Sequence, residues 1–242
     1  MAFMPILNIE GTEIPERILV VGDPGRLDKV KIFLDDVKEI SKNREYHSIT
    51  GNYDGVHIGA VSHGVGSAGA GACFEEICRA GATRIIRAGS AGGLQQGIGA
   101  GDIVIARAAV REDGLSNKLV PAGYPAVATP DIVIAMRDAA TSLTIDAHEG
   151  LILTSDMFYP HDVLGSDLPL WQRAGVTAVE MEAATLFVVC GLHRVEAGAV
   201  LAIDGNPLDQ DGGSMETYNP HQTSVDEAIT HSIEIALRAL IT

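Results

Sequence analysis

Three arginines stand beside glycine-containing turns, and a guanidinium next to unpaired backbone N–H groups is one way a protein holds phosphate. Arg26 ends Gly22-Asp-Pro-Gly-Arg26, directly after an apolar run and at the start of a helical stretch. Arg87 opens Arg87-Ala-Gly-Ser90 at the end of a second apolar run, and Arg44 lies in Asn43-Arg-Glu-Tyr46 before a third. Guanidinium groups, a serine hydroxyl and the N–H groups of a helix start together make an anion site. Each arginine alone would serve as well in a surface ion pair. Two such turns at strand ends in one acidic chain favour the phosphate reading.

Two further positions could do acid–base or hydrogen-bonding work. Val179-Glu-Met-Glu-Ala-Ala184 puts Glu180 and Glu182 where a strand passes into a helix. Glu182 could accept hydrogen bonds from a sugar diol, with Met181 as an apolar surface beside it. The competing reading is charge compensation at a helix N-terminus, which needs only a carboxylate in the first turn. Asp204 ends the apolar run Ala199–Ile203 and precedes Gly205. A half-buried carboxyl there is expected to have a raised pKa and to donate a proton near neutral pH; an Asp-Gly turn would explain the pair equally well.

Other chemistries find less support. Gly64-Val-Gly-Ser-Ala-Gly69 fits the dinucleotide pattern G-x-G-x-x-G, but the next predicted strand, Arg84–Ala88, ends in Gly89-Ser90 with no carboxylate for a ribose. No Walker A, zinc or G-x-S-x-G pattern occurs, so no metal site is expected. Cys73 and Cys78, five residues apart on one predicted helix, read as small core residues.

These residues need a frame, and 242 residues with 46% hydrophobic content suffice for one sizeable α/β domain over 1–242. Seventeen Lys+Arg against 32 Asp+Glu give a net charge of −15, which argues against a nucleic-acid or anionic-membrane binder. Any anionic ligand must be held by a few local arginines. Neither a signal peptide nor a membrane-length apolar run is seen, and three cysteines do not form a disulfide framework, so a cytoplasmic protein is expected.

The 27 glycines collect at the ends of apolar runs, Gly212 and Gly213 among them, where a turn can bring the backbone close to a ligand. Strands are predicted over Arg17–Val21, Tyr46–Tyr53, Val56–His63, Arg84–Ala88, Asp102–Ala106, Gly150–Ser155 and Ala199–Asp204. Asp54-Gly55 is a hairpin signal between the second and third. Helices are predicted over Leu27–Leu34, Ser67–Ala80, Pro130–Ser142, Ala183–His193 and Ser224–Leu240. Arg111–Thr129 and Gly205–Gln222 read as long irregular loops, either functional or merely covering the fold.

Taken in order, Gly22–Arg26, Asn43–Tyr46, Ser62–Ser67, Ile85–Ser90, Ser155–Tyr159, Val179–Glu182 and Asp204-Gly205 resemble the motifs of the nucleoside phosphorylase family, which includes hexameric purine nucleoside phosphorylases and uridine phosphorylases. The resemblance runs from about Ile18 to the last helix, and the Asn43–Tyr46 and Ser62–Gly69 stretches are similar to those of parasite-type purine enzymes. It implies one α/β domain with a mixed, partly barrel-like central sheet flanked by helices. It also implies reversible phosphorolysis of a nucleoside to free base and ribose 1-phosphate, with phosphate as co-substrate and no cofactor.

Carried over by motif, Gly22, Arg26, Arg87 and Ser90 would bind phosphate. Arg44 would reach the phosphate of a neighbouring subunit, in a homodimer that builds a hexamer. Glu180, Met181, Glu182 and Ile203 would lie at ribose or base, Phe158 or Tyr159 would pack on the base, and Asp204 would protonate a purine at N7. Three departures stand out. No arginine lies between Asp204 and Arg238, where the bacterial purine enzymes place one after the aspartate, and this is similar to the parasite-type pattern. Ile6 occupies the position where the family usually supplies a histidine to the ribose 5′-hydroxyl. Tyr159-Pro160 runs into His161-Asp-Val163 instead of the Gln and Arg that uridine phosphorylases carry, so a purine is the expected base. A uridine or mixed-specificity phosphorylase is the alternative, and a binding homologue without turnover a more distant one.

Overall fold

A computed structural model describes residues 3–208 and 219–242. Two short antiparallel strands, β1 (Phe3–Met4) and β2 (Ile9–Glu10), precede β3 (Arg17–Val21), a run so apolar that four of its five residues are buried. Helix α1 (Arg26–Lys31) leads to β4 (Asp35–Asn43), β5 (Tyr46–Tyr53) and β6 (Val56–Ser62). The β5–β6 hairpin turns on Asp54 (φ 47°) and Gly55 (φ 79°), the left-handed pair a type I′ turn requires. Helix α2 (Ser67–Ala80) stops at Gly81, whose φ of 108° suits glycine at a helix C-terminus.

After α2 come β7 (Arg84–Gly93), β8 (Ile103–Glu112), α3 (Gly114–Leu119), β9 (Ala126–Val127), α4 (Pro130–Ser142) and β10 (Ala147–Ser155). The chain closes with α5 (Leu168–Arg173), β11 (Ala178–Glu180), α6 (Ala183–His193), β12 (Glu196–Gly205) and α7 (Thr223–Leu240).

One mixed sheet runs β11-β10-β8-β12-β7-β3-β6-β5-β4, with β9 on β8. Because β11 also pairs with β7, the strands β7, β12, β8, β10 and β11 close into a five-stranded barrel, from which β3 to β6 extend as an open wing. Strands β3, β6 and β12 all run parallel to β7 or its neighbour, so their carboxyl ends meet on one edge. Helix α6 is apolar on every side and buried from Ala183 to Cys190, as a helix enclosed by other elements must be. It packs on α2, while α7 lies across β12 and β7 and against α4. Cys73, Cys78 and Cys190 are free thiols buried in this core.

Several stretches differ from the sequence expectation. Strand β7 does not end at Ala88 but continues through Gly93, paired with β12 as far as Gly92 and with β11 at Gly92 and Gly93. Its glycines therefore serve close packing within a strand: a Cβ on Gly93 would lie 2.6 Å from the Ile98 carbonyl oxygen. Arg111–Thr129 is not an irregular loop but the end of β8, α3 and β9. Polar bonds build it, which is why apolar periodicity gave no sign. Asp113 caps α3 through the Ser116 N–H, and the Arg111 guanidinium donates to the carbonyls of Ser116, Val120 and Pro121. Strand β4 has no counterpart in the sequence reading; among the described residues it pairs with β5 alone, and none of its residues is buried. Of the Gly205–Gln222 stretch, Gly212 and Gly213 lie outside the described residues.

Candidate functional site

The carboxyl ends of β3, β7 and β12 open onto a cleft of about 740 Å³, the edge at which open α/β sheets take ligands. Its floor begins at the turn after β3. Asp23 accepts a hydrogen bond from the Gly25 N–H (2.8 Å), which folds Gly22–Gly25 back so that Arg26 starts α1 facing the cleft. From there the Arg26 guanidinium donates to Ser90 Oγ on β7 at 3.0 Å. Burial, and then the like charge of Arg87, lowers the Arg26 pKa. Two guanidiniums thus face the same cavity, and an anion between them would relieve their repulsion.

Arg87 is almost fully buried and is gripped on all three nitrogens. Nε and Nη2 donate to Glu180 (3.3 and 3.2 Å), Nη2 also to Glu182 (2.6 Å), and Nη1 lies 3.2 Å from Nε2 of His63. The side chain curls over its own strand. A Cβ on Gly89, which shares its face of β7, would fall 2.6 Å from the guanidinium carbon. Glycine at 89 therefore makes room for the arginine two residues earlier.

The two carboxylates before α6 divide the roles that the sequence left open. Glu180 does the capping: it accepts the N–H groups of Glu182 (2.8 Å) and Ala183, and the Thr154 hydroxyl besides. Each Glu180 oxygen already accepts two or more protein donors, whereas each Glu182 oxygen accepts one, so Glu180 supports the cleft wall and Glu182 keeps the greater capacity for a ligand. Glu182 sits at the N-cap of α6 but makes no capping bond there. Its carboxylate turns into the cleft between the Gly66 N–H (2.6 Å) and Arg87. Burial raises its pKa, with Arg87 opposing and Glu180 adding to the rise.

The glycine-rich turn before α2 is built around that carboxylate. Gly64 and Gly66 have φ of 75° and 91°, and Ser67 Oγ donates to the Met181 carbonyl at 2.8 Å. The G-x-G-x-x-G match thus has a local use, wrapping Glu182 with a backbone N–H.

Asp204 occupies a β-bulge. Ile203 pairs with Ala91 and Gly205 with Gly92, so the register shifts at Asp204 and its half-buried side chain reaches the cleft, a use bulges often have beside active sites. Asn206 braces this strand end by donating to the carbonyls of Gln95 (3.1 Å) and Ile98 (3.2 Å). Met181 lines the wall, and Phe158 and Tyr159 form the mouth, their rings edge to face at 4.9 Å.

Gly22, Arg26, Arg87, Ser90, Glu180, Met181, Glu182, Asp204, Phe158 and Tyr159 therefore share one cavity. Two expected residues do not. Ile203 is fully buried, its backbone bonded to Gly101 and Asp102, and it lies off the cavity wall. Arg44 projects from the β4–β5 turn with φ of 54°, exposed and away from this chain's cleft. Beside it, Asn43 Nδ2 donates to the Ile6 carbonyl (2.7 Å), and Glu76 accepts the N–H groups of Ile6 and Leu7. The sequence does not single out His63, Thr154 or Asn206; the one signal for His63 is its place at the end of the predicted strand Val56–His63. Among the described residues no group of three or more His, Cys, Asp or Glu could hold a metal ion, and no helix is long and apolar enough to cross a membrane.

Residues 16–241 match the family described as "Phosphorylase superfamily". A purine nucleoside phosphorylase of Plasmodium falciparum is 43% identical over 235 residues, 96% of this chain and 94% of the relative. A uridine phosphorylase of Thermococcus kodakarensis is 37% identical, over 83% of this chain and 76% of its own. Among solved structures, a purine nucleoside phosphorylase from Toxoplasma gondii in complex with immucillin-H superposes with a TM-score of 0.94 at 32% identity, covering 99% of this chain and 96% of that one.

Proposed function

The chain belongs to the phosphorylase superfamily, and from that premise we propose that it is a pentosyltransferase catalysing the reversible phosphorolysis of purine ribonucleosides, inosine and guanosine foremost and adenosine besides. The observation that carries this reading is the joint placement of Arg26, Arg87 and Ser90 with Glu182 and Asp204 in one cleft. Phosphate, held by the two guanidiniums, the Ser90 hydroxyl and the Gly22 turn, supplies the nucleophilic oxygen. As the bond from C1′ to the purine nitrogen breaks, positive charge grows on the ribose and negative charge on the base. The phosphate dianion stabilises the first. A proton passed from Asp204 to N7 neutralises the second, so the base leaves neutral. Glu182 accepts from the ribose hydroxyls and fixes the sugar over the phosphate. Met181 and the Phe158–Tyr159 pair supply apolar surface for sugar and base.

The same reading gives Arg44 a place in the neighbouring subunit's phosphate site, within a homodimer that assembles to a hexamer. It needs no cofactor beyond co-substrate phosphate and suits a cytoplasmic role in purine salvage. The test is release of free base from inosine, guanosine, adenosine and uridine, each with and without inorganic phosphate. Phosphate-dependent release of hypoxanthine and guanine is expected. Release of uracil alone would transfer the assignment to a uridine phosphorylase, and phosphate-independent cleavage would make the protein a hydrolase.

A further inference from the structure

His63 takes no part in the chemistry above, yet it is fully buried at the carboxyl end of β6, one residue from the glycine turn that holds Glu182. Its backbone N–H donates to the Val21 carbonyl (2.9 Å), and the following Gly64 N–H to that of Gly22 (3.0 Å), so the residue is locked beside the Gly22 turn. The ring stands edge-on to Phe74 at 5.2 Å, with Nε2 3.2 Å from Arg87 Nη1. Nδ1 has no hydrogen-bond partner among the described residues. A polar nitrogen buried in this way costs stability that an apolar side chain of similar size would not. The side-chain contact that gives a histidine a use here is the one to Arg87.

We propose that His63 is a positioning residue for phosphate binding: its Nε2 lone pair accepts from Arg87 Nη1 and aims the guanidinium at the cleft. The proposal rests on the reading of this cleft as a phosphate site. An arginine can only donate, so Nε2 must be the bare nitrogen and the ring proton must sit on Nδ1. Burial, and then the charge of Arg87 with a smaller push from Arg26, keeps the His63 pKa well below its ordinary value, so the ring stays neutral.

Neutrality is what makes this partner useful. Glu180 and Glu182 already set two negative charges against Arg87. A third carboxylate at 63 would leave the guanidinium little attraction for phosphate, and a cation would repel it. A neutral acceptor fixes Nη1 without offsetting further charge, leaving the second Nη1 proton for the ligand.

The experiment uses the full chain with His63→Gln, whose amide oxygen can accept from Nη1, and His63→Leu, which cannot. Inorganic phosphate alone is titrated by calorimetry, and KM values are measured for phosphate and for inosine. His63→Leu should weaken phosphate binding about ten- to a hundredfold, the range expected for a lost hydrogen bond to a charged group, with the inosine KM near that of the wild type. His63→Gln should recover most of the loss. In the wild type, ¹⁵N spectra of the imidazole should show a protonated Nδ1 and a bare Nε2; this decides the matter even where His63→Leu fails to fold. Unchanged phosphate affinity in a folded His63→Leu, or a proton on Nε2, overturns the proposal. A wild type that binds no phosphate at all overturns the functional reading itself.

Discussion

At the scale of single residues, the proposed reaction gives two carboxyls of the cleft different tasks, and each can be tested by itself. Asp204 is assigned the proton for the leaving base. Asp204→Asn should therefore lower kcat on inosine by about 10²–10⁴-fold, the usual weight of one general acid, with the phosphate KM near the wild-type value. A 7-methylated purine nucleoside carries its positive charge already and needs no proton, so the variant should cleave it almost as well as the wild type. Equal losses on both substrates would remove Asp204 from proton transfer.

The proposed reaction makes the opposite demand on Glu182, which would have to be ionised to accept from ribose hydroxyls. Burial raises its pKa, so the acid limb of the pH–rate profile should fall at a higher pH than an ordinary glutamate would give. Stability should move the other way. A folded-state pKa above the unfolded value means that the folded protein takes up the proton more readily. Its contribution to stability is therefore fully present below the unfolded pKa and lost as pH rises through the folded one. Urea unfolding across that window, compared with Glu182→Gln, should show a flatter slope for the variant. Identical slopes would mean that Glu182 titrates normally.

At the scale of elements, what the chain reveals in advance follows the kind of force that builds each piece. The runs Arg17–Val21 and Ser67–Ala80 and the Asp54-Gly55 hairpin are specified by local apolar pattern and backbone preference, and the observed bounds agree. Helix α3 and strand β9 are set by Arg111 and Asp113 reaching across several residues, which no periodicity encodes. The division of labour between Glu180 and Glu182 is likewise a matter of which carboxylate meets the α6 N-terminus and which meets Gly66. Arg26, Arg87, Ser90 and Asp204 could be picked out because each ends or follows an apolar strand. His63 also ends an apolar strand, but its contact with Arg87, 24 residues away on another strand, is set by the fold alone.

The N-terminal hairpin is an element held the same way. Leu7 and Ile9 are buried, but the backbone at Ile6 and Leu7 is pinned by the buried Glu76 carboxylate on α2. Glu76→Ala should leave those N–H groups without their acceptor and cost about 1.5–3 kcal/mol, the range for a hydrogen bond to a charged group. Amide exchange at Ile6 and Leu7 should quicken well beyond that of β3. Unchanged protection there would show that apolar packing alone holds the hairpin.

At the scale of the whole molecule, a net charge of −15 requires the phosphate site to draw on concentrated local cations, and Arg44 is a cation that this chain does not direct into its own cleft. It projects from the β4–β5 turn, at the corner where Asn43 holds Ile6. If Arg44 completes a partner's site, two separately crippled chains can repair one another. Arg44→Ala and Asp204→Asn homodimers should each be weakly active. After the two are mixed, dissociated and reassembled, a hybrid dimer carries both lesions in one site and neither in the other. Random pairing makes about half of the dimers hybrids, so about a quarter of all sites should be restored. Phosphorolysis should rise to that share of wild-type turnover only after subunit exchange, and phosphate should bind the restored sites with wild-type affinity. Activity that stays at the sum of the two parents would place Arg44 outside any shared site, and each cleft would then have to hold phosphate with Arg26, Arg87 and Ser90 from its own chain.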